Sequence, residues 1–431
     1  MMTCQLSHVR DKDETGTRAG KRSFSVLAIM SLRSIVLAVT VAWICQGARG
    51  ATRPSPDAIL DSSQLTLEAA QTNAEGAFRT FTRLFSKQYT REEEYNTRLN
   101  IFKSNVAFIT ACNSAGESYQ LGLNEFADLT WEEFSSTHLG LNPAEGGSFR
   151  AGTNTGFSHA NVTPANSVNW VEAGAVTPVK NQAFCGSCWA FSTTGSVEGA
   201  NFLATGKLVS LSEQQLVDCD TKKDQGCGGG LMDYAFEYIL KNGGLDTEED
   251  YSYWSVGGMC NKLREERTVV SIDGYEDVPV NDETALAKAV TKQPVSVAIC
   301  ASEAMQFYSS GIITAKGSCT GLNHGVLAAG YDVDESGKPY WLVKNSWGAT
   351  WGMQGYFKLE KDSSMKGGAA GIAMAPSYPI KTSPNPKHVP EVCGYFGWSE
   401  CEYGSKCSCT FDLLGIFCLQ WGCKTATPQV L

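Results

Sequence analysis

The chain has 431 residues, 42% of them hydrophobic and 19% charged, with 43 glycines. That length exceeds one average domain and points to two or three units; the mix favours strands and loops over long helices. A formal net charge of −10 excludes nucleic acid as the main partner, because phosphate binding wants a basic surface. From the N-terminus, residues 1–50 read as a leader. Its apolar stretch runs from Ser34 to Cys45, about the length of a signal-peptide core and short of the ~20 residues of a membrane span. Met30-Ser-Leu-Arg33 makes a short basic start, so Met30 and Met1 are both candidate initiators. A signal anchor extending back to Phe24 is opposed by Arg33 inside the run. Cleavage of the leader would leave no stable membrane association.

Residues 51–74 are polar, with no order expected. Residues 75–140 read as a helical unit. Phe78, Phe81 and Phe85 recur at helical spacing. A second helix carries Glu94, Arg98, Phe102, Asn105, Ile109 and Asn113 on one stripe, with an ion pair from Glu94 to Arg98 at i,i+4. The run LGLNEFADLTWEEF follows, and Trp131 and Phe134 close the segment. Residues 141–160 are rich in Gly, Asn, Ser and Thr and read as an exposed linker and cleavage zone. Residues 161–380 form the large domain. It is helical first, with one helix from Cys188 that carries Ala190, Thr194, Val197, Ala200 and Ala204 on one face, and another over residues 231–241. It turns β-rich after Thr268, in TVVSI, VSVAI, HGVLAAGY, YWLVKNSW and GYFKLE. Two dissimilar halves imply a cleft between them, where ligands bind. A Pro-rich spacer (381–392) leads to a tail at 393–423 that has too little apolar mass for a core and needs cross-links.

Sixteen cysteines, six of them in the tail and five between Cys185 and Cys260, place the chain in an oxidising compartment. One has the setting of a nucleophile. A reactive thiol needs a base beside it and a helix N-terminus to favour its thiolate, and Cys188 opens a predicted helix in QAFCGSCWAF. Elimination finds the base. Of five histidines, His8 belongs to the leader, His138 to the helical unit, His159 to the linker and His388 to the spacer. Only His324 lies within the large domain, at the head of an apolar strand. Asn345 in LVKNSWG can accept the imidazole's other N–H, with Trp347 shielding that bond. The Cys188 backbone N–H and the Gln182 amide are the natural donors to an oxyanion. Other readings are weaker. A redox C-x-x-C at Cys185 and Cys188 lacks its βαβ context. A zinc site lacks ligands, since the large domain has one core histidine. No metal and no cofactor is expected.

These residues carry a resemblance. Over about residues 75–380 the chain resembles the papain family of cysteine proteases, in its cathepsin L-like group: CGSCWAFS, GCGGG around Cys227, NHG, and NSWGATWG, with His324 and Asn345 following Cys188 by 136 and 157 residues. The helical stripe is similar to the family's ERFNIN pattern, and Gly122, Asn124, Phe126 and Asp128 to the motif after it. The resemblance implies an α+β, papain-like two-lobe fold, with a helical lobe, a β-barrel-like lobe and the active-site cleft between them. It implies a monomeric endopeptidase acting on proteins and peptides, with a thiolate–imidazolium pair formed before substrate binds. Its own pro-domain would be the intramolecular inhibitor, lying backwards in the cleft and released in acid as carboxylates such as Asp128 lose charge. Gly229 and Gly230 would bind an extended backbone. Leu231, Met232, Ala298, Leu322, Gly325 and Ala375 would line a pocket for Leu, Phe or Val two residues before the scissile bond. Absence of further core histidines argues against an exopeptidase.

The same resemblance pairs Cys185 with Cys227 and Cys219 with Cys260. Cys319 lacks its usual partner, since that position is Ala370, and Cys300 is extra; either the two pair, or both are free thiols. Asn323 stands where papain itself has Asp. Asn161-Val-Thr163 is the one N-x-S/T sequon, a candidate glycosylation site. The tail resembles half of a granulin domain. The implied localisation is the secretory pathway, ending in a lysosome or vacuole or outside the cell. A granulin-type signalling or binding protein and a catalytically silent protease homologue are the alternatives; the second usually loses the nucleophile that is present here.

Overall fold

The computed structural model describes residues 65–142 and 156–386 except Thr320, together with the backbone of short strands between 391 and 425. The leader, most of the linker and the pairing of the tail cysteines lie outside the described residues. The first unit comprises α1 (Leu67–Thr72), α2 (Ala74–Leu84), α3 (Glu92–Ser114), β1 (Tyr119–Leu121) and α4 (Trp131–His138). Helix α1 falls in the stretch expected to lack order. Thr66 caps it, and Ala70 is buried against the aromatic cluster of Phe78, Phe81 and Phe102. The polar members of the α3 stripe have work beyond the helix. Asn105 Nδ2 donates to the carbonyls of Ala127 and Leu129, both at 2.9 Å. Asn113 exchanges two hydrogen bonds with Leu121. Arg98 reaches across to Glu133 at 2.6 Å and to the Asp128 carbonyl, in place of the i,i+4 partner expected for it. Asp128, buried, accepts from Lys87 at 3.0 Å and Tyr89 at 2.7 Å.

The large domain follows with β2 (Val168–Asn169), α5 (Cys188–Thr205), α6 (Glu213–Cys219), α7 (Met232–Asn242) and α8 (Lys262–Glu265). Then come β3 (Gly274–Asp277), α9 (Glu283–Val290), β4 (Val295–Ile299), α10 (Glu303–Gln306) and β5 (Tyr308–Ile313). It ends with β6 (His324–Val333), β7 (Pro339–Lys344), β8 (Tyr356–Glu360) and β9 (Ser377–Ile380). Helix α5 is buried on every side from Cys188 to Asn201, not on one face. It packs between α6 and α7 on one side and β4, β6 and β9 on the other, which leaves it no solvent face. Glycines permit this approach: a Cβ on Gly199 would meet the Pro294 ring at 2.6 Å. Helix α7 starts after Leu231 and stops at Gly243, φ +85°, a left-handed conformation that glycine adopts freely.

The sheet runs β1-β5-β8-β7-β6-β4-β9-β3, with β2 also on β6. It is antiparallel apart from β5 and β8. TVVSI is not a strand. Only Val270 bridges, to Leu245, because the chain there turns from α8 into β3. Strands β1, β5 and β9 and helix α9 were not among the predicted elements; YSSGII in β5 has no alternation to announce it, and its neighbours pair it. Strand β1 belongs to the first unit yet adds to the edge of the large domain's sheet, with Tyr119 opposite Gly311. The core follows suit: Ile109, Phe126 and Phe134 of the first unit are buried with Phe307, Trp347 and Trp351 of the second. The tail forms two hairpins, β10 (Glu391–Cys393) with β11 (Ser399–Cys401), and β12 (Ser405–Leu413) with β13 (Phe417–Thr425).

Candidate active site

The site forms where the start of α5 meets the ends of two neighbouring strands. Strand β4 holds His324 in register at Ile299, and β6 pairs with β7 so that Leu327 faces Lys344. His324 at the head of β6 and Asn345 just past β7 therefore lie side by side. His324 Nε2 is 2.8 Å from Asn345 Oδ1. That oxygen also accepts from the Ser346 N–H at 2.8 Å, so the imidazole must donate, and Nδ1 carries the free lone pair. Nδ1 is buried and has no hydrogen-bond partner among the described residues. The Trp347 ring stacks on His324 at 4.6 Å and keeps water from the His324–Asn345 bond. Cys188 Sγ accepts from the Gly325 N–H at 3.3 Å, across the seam between helices and sheet. Among the described residues Cys188 is the free cysteine.

The loop before α5 carries Gln182. Its backbone N–H donates to the Ser346 carbonyl and its Oε1 accepts from the Ser346 hydroxyl. Its Nε2 donates to the carbonyls of Cys185 at 2.8 Å and His138 at 3.1 Å. A disulfide joins Cys185 to Cys227, a second joins Cys219 to Cys260, and a third joins Cys300 to Cys319, Cα atoms 5.5 Å apart. The open choice at Cys300 is thus a bonded pair. It sits beside Ala370, whose carbonyl accepts from the Cys300 N–H.

Residues 138–142 cross this site. Gly230 donates to the Gly140 carbonyl at 2.9 Å and accepts from the Asn142 N–H at 3.3 Å, a parallel bridge around Leu141. Leu141 also donates to the Asn323 carbonyl. Its side chain, 7% exposed, is buried with Trp189, Leu231, Met232, Ala298, Leu322 and Ala375; such burial is worth about 2 kcal/mol. Gly325 forms part of the same wall, since a Cβ there would meet Met232 Sδ at 3.2 Å. Gly229, φ +113°, lies against the Gly140 carbonyl. Gly140 itself has no room for a side chain, because a Cβ would fall 1.8 Å from the Gly186 carbonyl oxygen.

This cover changes the electrostatics. Burial pushes the Cys188 thiol up to about 11, against the N–H groups of Gly325, Gly140 and Trp189 that favour the thiolate. Burial pulls His324 down to about 4, against the Asn345 bond. Both shifts favour the neutral forms while residues 138–142 cover the site. His138, set aside by elimination, is in fact at the site. It stacks on Phe134 at 4.6 Å, and burial pulls it down to about 4.

Two groups of residues escaped the sequence reading. One is the 138–142 segment, divided in that reading between the end of the helical unit at 140 and the start of the linker at 141. The other is Tyr253, whose hydroxyl donates to the Gln182 carbonyl at 2.9 Å and bonds the Ser187 hydroxyl at 2.6 Å. It ties together the two ends of the loop that ends in Cys188; DYSYW carries no periodicity or motif that could have shown this. Cys219, Cys260 and Glu265 come close enough to hold a metal ion, but the disulfide removes both thiolates as ligands.

A free thiol at a helix start lies against the N–H of Gly325, the residue after His324; the His324 imidazole bonds the Asn345 amide, and residues 138–142 cover the site. The sequence matches the family descriptions papain family cysteine protease over residues 164–380 and cathepsin propeptide inhibitor domain (I29) over 78–134. It is 46% identical over 342 residues to cysteine proteinase RD21A of Arabidopsis thaliana, covering 77% of this chain and 72% of that one. It is 52% identical over 304 residues to the KDEL-tailed cysteine endopeptidase CEP2 of the same plant, covering 68% and 83%. Among solved structures, the proform of the ragweed pollen allergen Amb a 11 superposes with a TM-score of 0.66 at 42% identity, covering 73% of this chain and 87% of that one. A digestive procathepsin L 3 of Tenebrio molitor gives 0.64 at 39%, covering 71% and 98%. The chain belongs to the papain family of cysteine proteases. It is a cysteine-type endopeptidase in its propeptide-bearing zymogen form, with the papain-like fold.

Proposed function

We propose that Cys188 is the nucleophile, His324 its base, Asn345 the group that orients the imidazole, and Gln182 with the Cys188 N–H the oxyanion donors. Once residues 138–142 leave, water and substrate replace the apolar cover and the thiolate–imidazolium pair can form. Sγ attacks the scissile carbonyl, and the Gln182 amide, released from the His138 carbonyl, turns to the oxyanion. The imidazolium gives its proton to the leaving amine. Water, deprotonated by His324, then breaks the thioester and returns Sγ.

The observation that carries the reading is Leu141. It enters an apolar pocket beside Gly230 as a substrate side chain would, while its backbone runs parallel at Gly230 and presents Gly140 near the thiol. We infer a preference for Leu, Phe or Val at the second residue before the cleaved bond, set by Leu231, Met232, Ala298, Leu322, Gly325 and Ala375. The unit boundaries follow: leader 1–50, pro-domain 75–140, linker 141–160, peptidase 161–380, spacer 381–392 and tail 393–423. Asn161 is exposed, as a glycan acceptor must be. A signal-like leader and the disulfides among the described residues support passage through the secretory pathway, to a vacuole, a lysosome or the exterior, as a monomer.

The test is acid activation of the full precursor and labelling with an epoxysuccinyl inhibitor. Label should enter wild type and be lost in Cys188→Ala. The activated enzyme should cleave a Leu-Arg fluorogenic peptide at least tenfold faster than Arg-Arg, about 1.4 kcal/mol in favour of the apolar pocket. Faster cleavage of Arg-Arg would overturn the pocket assignment, and unlabelled wild type the nucleophile.

A further inference from the structure

Along the covering segment, Leu141 lies on one side of Gly140 and His138 on the other. On the His138 side four rings stand in a row. Trp347 meets Phe134 edge to face at 4.9 Å, Phe134 stacks on His138 at 4.6 Å, and His138 meets Phe184 edge to face at 5.5 Å. The two outer rings belong to the large domain and the two inner ones to the first unit. The row stands beside the reacting groups. Trp347 stacks on His324 at 4.6 Å, and the His138 carbonyl accepts from the Gln182 amide at 3.1 Å.

Both outer rings are held by the large domain itself. Trp347 packs edge to face on Trp351 at 4.9 Å. The loop that carries Phe184 is laced to the segment that carries Trp347. The Gln182 N–H donates to the Ser346 carbonyl at 2.8 Å, and the Gly348 N–H to the Lys180 carbonyl at 3.1 Å. Cys185, next after Phe184, is fixed by its disulfide to Cys227. Ala183, just before it, has φ +49°, a left-handed conformation uncommon for a residue with a side chain. Its N–H is pinned by Asn181 Oδ1 at 2.8 Å. The Phe184 ring nevertheless stays 64% exposed, so most of its apolar surface contributes nothing to the core.

We propose that, once the first unit leaves, the space between Trp347 and Phe184 is a slot for an aromatic side chain of the substrate, carried by one of the first two residues after the cleaved bond, and that Phe184 sets this preference. The proposal rests on the assignment of Cys188 and Gln182 as the reacting groups. Phe134 and His138 show what the slot accepts: flat rings, 6° from parallel, each meeting its wall edge to face. That is an arrangement ring quadrupoles favour. A serine in the slot leaves the Phe184 ring in water. An aspartate there gives up water to apolar rings, at a cost.

The experiment uses the acid-activated enzyme and internally quenched peptides. Each has Leu at the second residue before the bond, and Phe, Ser or Asp at the first or the second residue after it. In wild type, Phe at one of these places should raise kcat/KM about fivefold over Ser, the scale of one ring pair, and Asp should fall below Ser. In Phe184→Ser the Phe and Ser peptides should be cut alike. A Leu-Arg methyl ester puts nothing in the slot, so both enzymes should hydrolyse it equally, which shows that the variant is folded with its thiol and its Leu pocket intact. A wild type with no preference for Phe overturns the proposal, as does a preference that survives in Phe184→Ser. So does a variant that activates faster in acid yet keeps the wild-type preference, because the ring would then serve only the docking of His138. If neither enzyme hydrolyses the ester, the assignment of Cys188 and Gln182 fails, and this proposal with it.

Discussion

Tyr253 shows what a single hydroxyl can decide at this site. An oxyanion donor acts only if it is already aimed when charge develops, and Gln182 sits on a loop, not a rigid element. One Tyr253 hydroxyl holds both the Gln182 carbonyl and the Ser187 hydroxyl, and its ring packs on Phe191 of α5 at 4.9 Å. Tyr253→Phe keeps that packing and removes both bonds. A neutral hydrogen bond contributes about 1 kcal/mol, so kcat should fall about fivefold to thirtyfold with KM little changed. Progress curves on the Leu-Arg peptide check this; an unchanged kcat would mean that the loop needs no such tie.

At the scale of the element, helix α4 leads the chain into residues 139–142 at the site. Thr130 and Glu133 form a reciprocal capping box at its N-terminus, and Glu133 also carries the ion pair from Arg98 of α3. Burial alone would raise the Glu133 carboxyl; the Arg98 bond and the Thr130 N–H outweigh it and hold it below its usual value. A depressed carboxyl contributes stability above its ordinary value, and that contribution fades as pH falls through the lowered one. Acid therefore loosens the helix that leads residues 139–142 across the site. Glu125 has the opposite sign, since burial raises it at its contact with Thr350, so protonation there does not drive release. Glu133→Gln keeps a cap-competent side chain but not the charge. The variant precursor should activate faster than wild type at neutral pH and with a shallower dependence on acid. Glu133→Ala should in addition lose about 1 kcal/mol of cap stability, read as a lower melting temperature of the precursor.

For the whole molecule, latency is a matter of water as well as obstruction. The first unit contributes a strand to the sheet and aromatic side chains to the core, and Leu141 just after it packs into the apolar cluster of Trp189 and Leu231, so Cys188 and His324 are sealed inside one continuous interior. With the thiol pushed up to about 11 and the imidazole pulled down to about 4, no pH between those values gives the ion pair in the intact precursor. Iodoacetamide should then alkylate Cys188 in the precursor at least about a hundredfold more slowly than in processed enzyme at pH near 6, since only the thiolate reacts. Equal rates would show that burial does not hold the thiol neutral.

The sequence by itself named the candidates for the site. Cys188 heads a helix, one histidine lies in the large domain's core, and Asn345 follows a strand; these are local facts, legible because helix starts and strand heads leave marks in residue order. The stripe on α3 was legible for the same reason, as a period of the helix. Only the tertiary structure decided what those residues meet. Asn105 and Asn113 look like surface positions on a helix until residues 121–129 pass over them. Arg98 has a plausible neighbour four residues away and a better one at Glu133. The electrostatics of the site and the place of Leu141 both depend on which distant segments exclude water from a few ångströms of space. Burial is a property of the packed chain, and no pattern of neighbouring residues encodes it.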